Sequence, residues 1–203
     1  MMMSPSPTKG ATTREAILAR SYSLACVAGL EGLTIGALAA QVGMSKSGVF
    51  AHFGSREELQ LATLDLAGER FVGHVLVPAL RERRGLPRLR AIMANWFDWV
   101  RHEEDGGCLF LAAASEYDDR PGPIRDRLLQ HEVDWREQLA RSVQLAVDAG
   151  ELAKGTDTMQ VAFELYGIAL MIHHDAGLTG YAEAAERGLR AFDRLIRSYS
   201  PNA

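Results

Sequence analysis

Thr34, Ser45, Lys46, Ser47, Gly48, Ala51, His52 and Arg56 are the residues whose types and spacing suit chemistry on a polyanion. Hydroxyl, ammonium, imidazole and guanidinium groups donate hydrogen bonds to phosphate oxygens, and short side chains let a helix approach base edges in a major groove. A second set is aromatic. Trp96, Trp99, Phe110, Tyr117, Trp135, Phe163 and Tyr166, with Cys108, His131 and His173 as polar lining, have the composition of a small-molecule pocket between helices, and equally of a filled core. Catalysis has no comparable candidate. The chain has no G-x-S-x-G, Walker loop, dinucleotide fingerprint or H-E-x-x-H. His173 and His174 are adjacent, so on one helix they point about 100° apart and cannot share a metal ion. We expect no enzyme, no cofactor and no metal site.

The elements that position the first set lie between Thr34 and Phe53. Thr34 is a good N-cap, and Ile35, Leu38, Ala39 and Val42 recur at three- and four-residue steps on one apolar face. Gly43 follows, the residue that most readily takes the left-handed conformation that stops a helix. Ser45 then caps a second short helix that carries Val49 and Phe50 inward, with Phe53 at its end, and leaves Ser45, Lys46, Ser47, Ala51 and His52 toward solvent. A small residue at Ala39, the turn glycine and the next apolar position have helix-turn-helix spacing. The spacing alone fits an ordinary helical hairpin as well.

Thr34-Ile35, Leu38-Ala39, Val42 to Lys46, Val49 to Phe53 and Gly54 to Leu59 together resemble the N-terminal domain of the tetracycline-repressor (TetR) family of bacterial transcription regulators. The resemblance runs from about Thr12 to Leu66; beyond it, length and helix order agree. It implies an all-α homodimer with an N-terminal three-helix DNA reader and a larger C-terminal domain that binds a small molecule. It also implies that Lys46 and Arg56 reach phosphates and that Ser47, Gly48 and Ala51 approach bases. Two positions depart from the family pattern. Phe50 stands where the family often has a tyrosine, so a phosphate-contacting hydroxyl is missing, and Ala51 replaces a commonly larger residue. Arg56 stands where lysine is frequent, a mild change.

Composition agrees with this picture. The chain has 203 residues, 47% of them hydrophobic, enough for a sizeable core. Before residue 57 five basic side chains outnumber two acidic ones, a net +3; the whole chain carries −4, so the rest carries −7. A basic end on an acidic body suits a DNA-facing end and a body repelled from DNA. Cys26 and Cys108 are far apart and in no metal spacing, which points to a reduced, cytoplasmic setting. The opening MMMSPSPTKG has no signal-peptide core, and no apolar run approaches ~18 residues, so no membrane partner is expected.

In chain order, residues 1–11 read as a flexible Ser/Pro-rich arm; Lys9 and Arg14 suit the DNA backbone and equally plain solvation. Thr12 and Glu15 form a capping box that opens a first helix, which runs to a turn at Gly29 to Gly32. Ser55 and Glu58 form another, opening a helix to about Phe71 that continues to Pro78. Helices from Pro87, over Cys108 to Ser115 and over Ile124 to Ala149 follow; a charged run, His102 to Asp105, and Gly106-Gly107 separate the first two. Thr156 or Asp157 caps a helix that is apolar nearly all round from Met159 to Ile172, and such a helix must be buried on more than one side. After a turn from Gly177 to Gly180, the last helix presents Ala184, Ala185 and Gly188, small enough for close approach. With the resemblance, helices 157–176 and 180–199 are the expected dimer interface.

The expected architecture is therefore an arm over 1–11, a helix-turn-helix domain over 12–56, and a helical-bundle ligand-binding and dimerisation domain over 57–203. The expected function is a repressor released from a near-palindromic duplex operator by a small apolar or aromatic effector.

Overall fold

Among the residues described by the computed structural model, 9–102 and 108–201, nine helices and no strand occur, as the all-α expectation requires. They are α1 (Lys9–Gly32), α2 (Ile35–Val42), α3 (Lys46–Phe53), α4 (Arg56–Ala79), α5 (Leu86–His102), α6 (Leu109–Tyr117), α7 (Pro123–Asp148), α8 (Thr158–Thr179) and α9 (Tyr181–Ser198). The chain divides into two units. One comprises Met1–Gly68 with Leu109–Leu128, the other Glu69–Cys108 with Leu129–Ala203.

In the first unit, Ile17, Ala25, Leu30, Leu33, Leu38, Val49, Phe53, Leu59 and Leu64 form one buried cluster, which Leu109, Ala113, Tyr117 and Ile124 complete. Each element contributes the apolar face its three- and four-residue spacing creates. The α1 and α4 stripes are joined by a buried hydroxyl pair, Ser21 Oγ and Thr63 Oγ1 at 2.8 Å. Each hydroxyl also lies 2.7 Å from a carbonyl of its own helix, so neither is left without a partner.

In the second unit, Leu89, Ile92 and Met93 of α5, Leu139 and Val143 of α7, and Val161, Leu165 and Ala169 of α8 are buried. Helices α8 and α9 lie close together at Gly188, where an added Cβ would stand 2.1 Å from Ile172 Cδ1. Asp157 is the α8 cap: its carboxylate accepts from the amides of Met159 and Gln160.

Several boundaries differ from the sequence reading. Helix α1 begins at Lys9, so Thr12 lies inside it and residues 9–11 are helical; residues 1–8 of the expected arm lie outside the described residues. The turn expected at Gly29 to Gly32 is a break at Gly29 (φ 75°, ψ 169°) followed by one more helical turn. Helix α4 ends at Ala79, one residue beyond Pro78, which lies in its last turn and has no amide to offer the His74 carbonyl. Gly177 is helical; α8 stops only at Gly180, with φ 106°. The charged run at 103–105 and the pair 106–107 lie outside the described residues.

Candidate functional site

The two short helices are built as their capping residues dictate. Thr34 Oγ1 accepts from the Ala37 amide at 3.1 Å, and Ser45 Oγ accepts from the Gly48 amide at 3.1 Å. Between them Gly43 adopts φ 66°, ψ 29°, and its amide and that of Met44 both return to the Ala39 carbonyl. A side chain other than glycine's is strained there, so this residue sets the angle at which α3 leaves α2.

Helix α3 sends Val49 and Phe53 into the core and exposes Lys46, Ser47, Phe50 and Ala51; Gly48 and His52 are half-buried. Phe50 corrects the sequence reading, which turned it inward with Val49: its side chain is 51% exposed. At 3.6 residues per turn Val49 and Phe53 share a face, and Phe50 lies at its edge beside Lys46, about 100° from Val49 and about 60° from Phe53. The Lys46 stem runs across the first turn of α2, where a Cβ added to Gly36 would lie 3.1 Å from Lys46 Cε. Ser47 Oγ lies 3.1 Å from Ser45 Oγ. Arg14 stacks its guanidinium on the Phe53 ring, 4.9 Å from the centroid.

Arg56 is tied to the α1–α2 connection. Its Nε donates to the Leu33 carbonyl at 3.0 Å, and its terminal nitrogen donates to the Glu31 carbonyl and to Glu31 Oε2. Glu31 also accepts from the Tyr117 hydroxyl at 2.8 Å and from Arg120 at 3.1 Å. The Tyr117 hydrogen bond and then Arg56 hold its carboxyl below the usual range. Burial, followed by that same bond, pushes the Tyr117 phenol up to about 12. Gln60 donates to the Leu30 carbonyl at 2.6 Å, and Glu116 accepts from the amides of Leu30 and Glu31. Residues 30–33, immediately before the Thr34 cap, are thus held from both α4 and α6. Glu116 and Gln60 escaped the sequence reading, because a long-range carboxylate-to-amide contact leaves no local pattern.

The aromatic set is gathered only in part. In the second unit Trp96, Trp135 and Tyr166 form a chain of edge-to-face contacts, with Trp96 5.2 Å from Trp135 and 5.5 Å from Tyr166. Phe71 is its centre, 4.8 Å from Trp135, 5.5 Å from Trp96 and 5.8 Å from Trp99, and His74 packs edge-on against Trp99 at 5.4 Å. The sequence reading missed both Phe71 and His74. The signal was present, since Phe71 lies four residues from Ala67 and from Val75 on the buried α4 stripe. The indole nitrogens of Trp99 and Trp135 are buried without a hydrogen-bond partner. Tyr166 donates to Glu132 at 3.0 Å, and burial is the main reason its phenol is shifted upward. His173 Nε2 accepts from the Cys108 amide at 2.9 Å, and His131 is half-buried on α7. Three residues of the expected pocket lie elsewhere. Phe163 is 61% exposed on α8, and Phe110 and Tyr117 belong to the core of the first unit.

A groove of about 720 Å³ runs between α8 and α9, lined by Gly167, Ile168, Met171, Ala184, Gly188 and Leu195 among others. Met171 in its lining, and Met159 and Phe163 one turn apart on α8, are each more than half exposed. Among the described residues no cluster of His, Cys, Asp and Glu could hold a metal ion, and no helix is long and apolar enough to cross a membrane.

Residues 17–63 match the family model described as "Bacterial regulatory proteins, tetR family", and residues 85–192 match the one described as "Tetracyclin repressor-like, C-terminal domain". Among solved structures, a TetR transcriptional regulator from Chloroflexus aurantiacus is similar at 26% identity, with 93% of this chain and 94% of that one covered and a TM-score of 0.79. A TetR-family transcriptional regulator from Streptomyces coelicolor is similar at 19% identity over 96% and 98%, TM-score 0.82. AibR, solved in complex with isovaleryl coenzyme A and operator DNA, is similar at 22% identity over 93% and 98%, TM-score 0.68. No curated protein matches the sequence.

Proposed function

The chain belongs to the tetracycline-repressor family of DNA-binding transcriptional regulators, and we propose that it is a dimeric repressor that a small apolar or aromatic effector releases from a near-palindromic operator. The observation that carries this reading is the exposed face of α3. It is held at a fixed angle by the Gly43 turn, presents Lys46, Ser47, Phe50 and Ala51, and stands on the basic end of the chain.

In this reading residues 12–56 are the reading head, and 57–203 carry effector binding and dimerisation. Lys46 and Arg56 meet phosphates; Thr34, Ser45 and His52 flank the groove; Ser47, Gly48, Phe50 and Ala51 approach bases. Two heads on a two-fold axis require half-sites about one helical turn apart or more, ~34 Å upward. Helices α8 and α9 supply the axis. The exposed Met159, Phe163 and Met171, and the groove with its small Gly167 and Gly188, suit a second copy of the same pair. The groove also carries Glu164 and Asp175 with Arg187 and Arg194, charges of both signs that a two-fold partner can match.

The effector site is the aromatic cluster around Phe71. It is built from apolar rings with two unpaired indole donors. AibR's complex with an acyl thioester and DNA shows that this fold accommodates both kinds of partner in one protein. An effector releases DNA only through its different affinity for the two conformations of the dimer.

Selection of bound duplexes from a random pool tests the reading. The expected result is a near-palindrome, bound with a steep salt dependence. Recovery of no sequence, or binding that ignores salt, overturns it.

A further inference from the structure

Helix α3 contains no arginine, asparagine, glutamine, aspartate or glutamate. Those side chains make most of the bidentate or donor–acceptor pairs with guanine, adenine and cytosine edges, and lysine makes the remaining guanine pair. The helix's own polar groups are largely engaged. The Ser45 hydroxyl accepts from the Gly48 amide, Ser47 lies within hydrogen-bond distance of Ser45, and His52 is half-buried. Lys46, the one lysine, lays its stem and ammonium across α2 at Gly36, where a Cβ would lie 3.1 Å from Cε and 3.5 Å from Nζ, and so away from Phe50 and Ala51 toward the α2 side of the helix pair. What remains on the exposed side is apolar: Ala51, which points away from the core, and Phe50 next to it, 51% exposed. A major groove offers an apolar side chain one base-specific partner, the C5-methyl group of thymine.

We propose that Phe50 and Ala51 are the specificity-determining residues of this regulator and that they read thymine methyl groups, so that each half-site is fixed chiefly by thymines under α3. This rests on the reading of α3 as the helix in the groove. An exposed phenyl ring stays hydrated in the free protein; burying it against a methyl group recovers apolar contact only where thymine stands. The cation at Lys46 and the basic N-terminal end supply attraction that is indifferent to sequence, leaving discrimination to the two apolar side chains.

The test uses the full-length protein and the duplex selected from a random pool. Each thymine of one half-site is replaced in turn by deoxyuridine, which removes only the methyl group. At one or two positions per half-site the dissociation constant is expected to rise about fourfold, the worth of one methyl group withdrawn from water. In Phe50→Ala, measured at low salt so that phosphate contacts keep the complex formed, one of those penalties should vanish. Phe50→Leu, which keeps an apolar contact, should retain part of it. Phe50 is outside the core, so both variants fold. A half-site in which no deoxyuridine weakens binding overturns the proposal, as does a penalty that is identical in wild type and Phe50→Ala. Both results would leave α3 as a DNA reader that takes its specificity elsewhere. Failure to select any duplex would overturn the reading of α3 itself and this proposal with it.

Discussion

The Glu116 carboxylate on α6 accepts hydrogen bonds from the main-chain amides of Leu30 and Glu31, at 2.9 and 3.1 Å, in the turn that follows the break of α1 at Gly29. Those amides head a short helical turn and have no carbonyl to serve, so a side chain from 86 residues away acts as their cap. Glycine at position 29 is required twice over. Its φ is 75°, and a Cβ there would lie 1.9 Å from Glu116 Oε1. Glu116→Ala is expected to cost about 1–2 kcal/mol in urea unfolding, the range for a lost cap. Glu116→Gln keeps an acceptor and should cost less. Gly29→Ala displaces the carboxylate, so combining it with Glu116→Ala should give less than the sum of the two losses.

Tyr117 makes stability depend on alkaline pH. Its folded-state value is raised to about 12 from an ordinary 10.0, so the neutral phenol is favoured in the native state. The unfolded chain then loses its proton first. The contribution of Tyr117 is complete below pH 10, declines as pH rises, and is gone above about 12. Thermal unfolding from pH 8 upward should show wild type losing its margin over Tyr117→Phe across that window. A constant margin would mean that burial and the Glu31 hydrogen bond do not favour the neutral phenol in the folded state.

Lys46→Ala should weaken binding to every duplex by a similar factor and lower the slope of log affinity against log salt by about one, the signature of one lost phosphate contact. Filter binding or fluorescence anisotropy at several salt concentrations measures it. An unchanged slope would place Lys46 away from the backbone.

Phe163→Glu puts a charge in the middle of the exposed α8 face. If that face meets a second copy, the variant should sediment as a monomer and bind the selected operator far more weakly, while its circular dichroism remains that of the folded chain. A dimer that survives the charge would move the interface elsewhere.

Trp135 lies 4.8 Å from Phe71 and 5.2 Å from Trp96, ring centre to ring centre, and is 8% exposed. Trp135→Ala hollows this cluster and should cost about 3–5 kcal/mol, so it tests packing more than function. Trp135→Phe keeps the ring but removes the indole donor. It should bind operator DNA as wild type does and respond less to an aromatic compound that releases wild type from the duplex. An undiminished response would separate the cluster from effector binding.

Much of the reading head was legible because its determinants are local. Thr34, Gly43, Ser45 and Gly54 act within four residues of themselves, and the spacing of Leu38, Ala39, Val49 and Phe53 records which face is inward. Phe50 shows the limit of such reading. Hydrophobic character suggested burial, whereas Phe50, about 100° round the helix from Val49, falls at the edge of the buried stripe and is half exposed. Arg56 shows another limit. Its type suits a phosphate, yet where its guanidinium rests was decided by Glu31 and the carbonyls of residues 31 and 33, which only the folded chain brings to it.

By itself, the sequence determined the helical class, the turn between α2 and α3, and the family, since capping and periodicity are properties of neighbouring residues. The tertiary structure alone decided that Glu116 caps the turn of α1, that Phe71 gathers the tryptophans, and that Phe110 and Tyr117 join the first unit while Phe163 faces solvent. Such contacts join residues dozens of positions apart. They arise when helix faces find one another, and no spacing along the chain records which faces will meet.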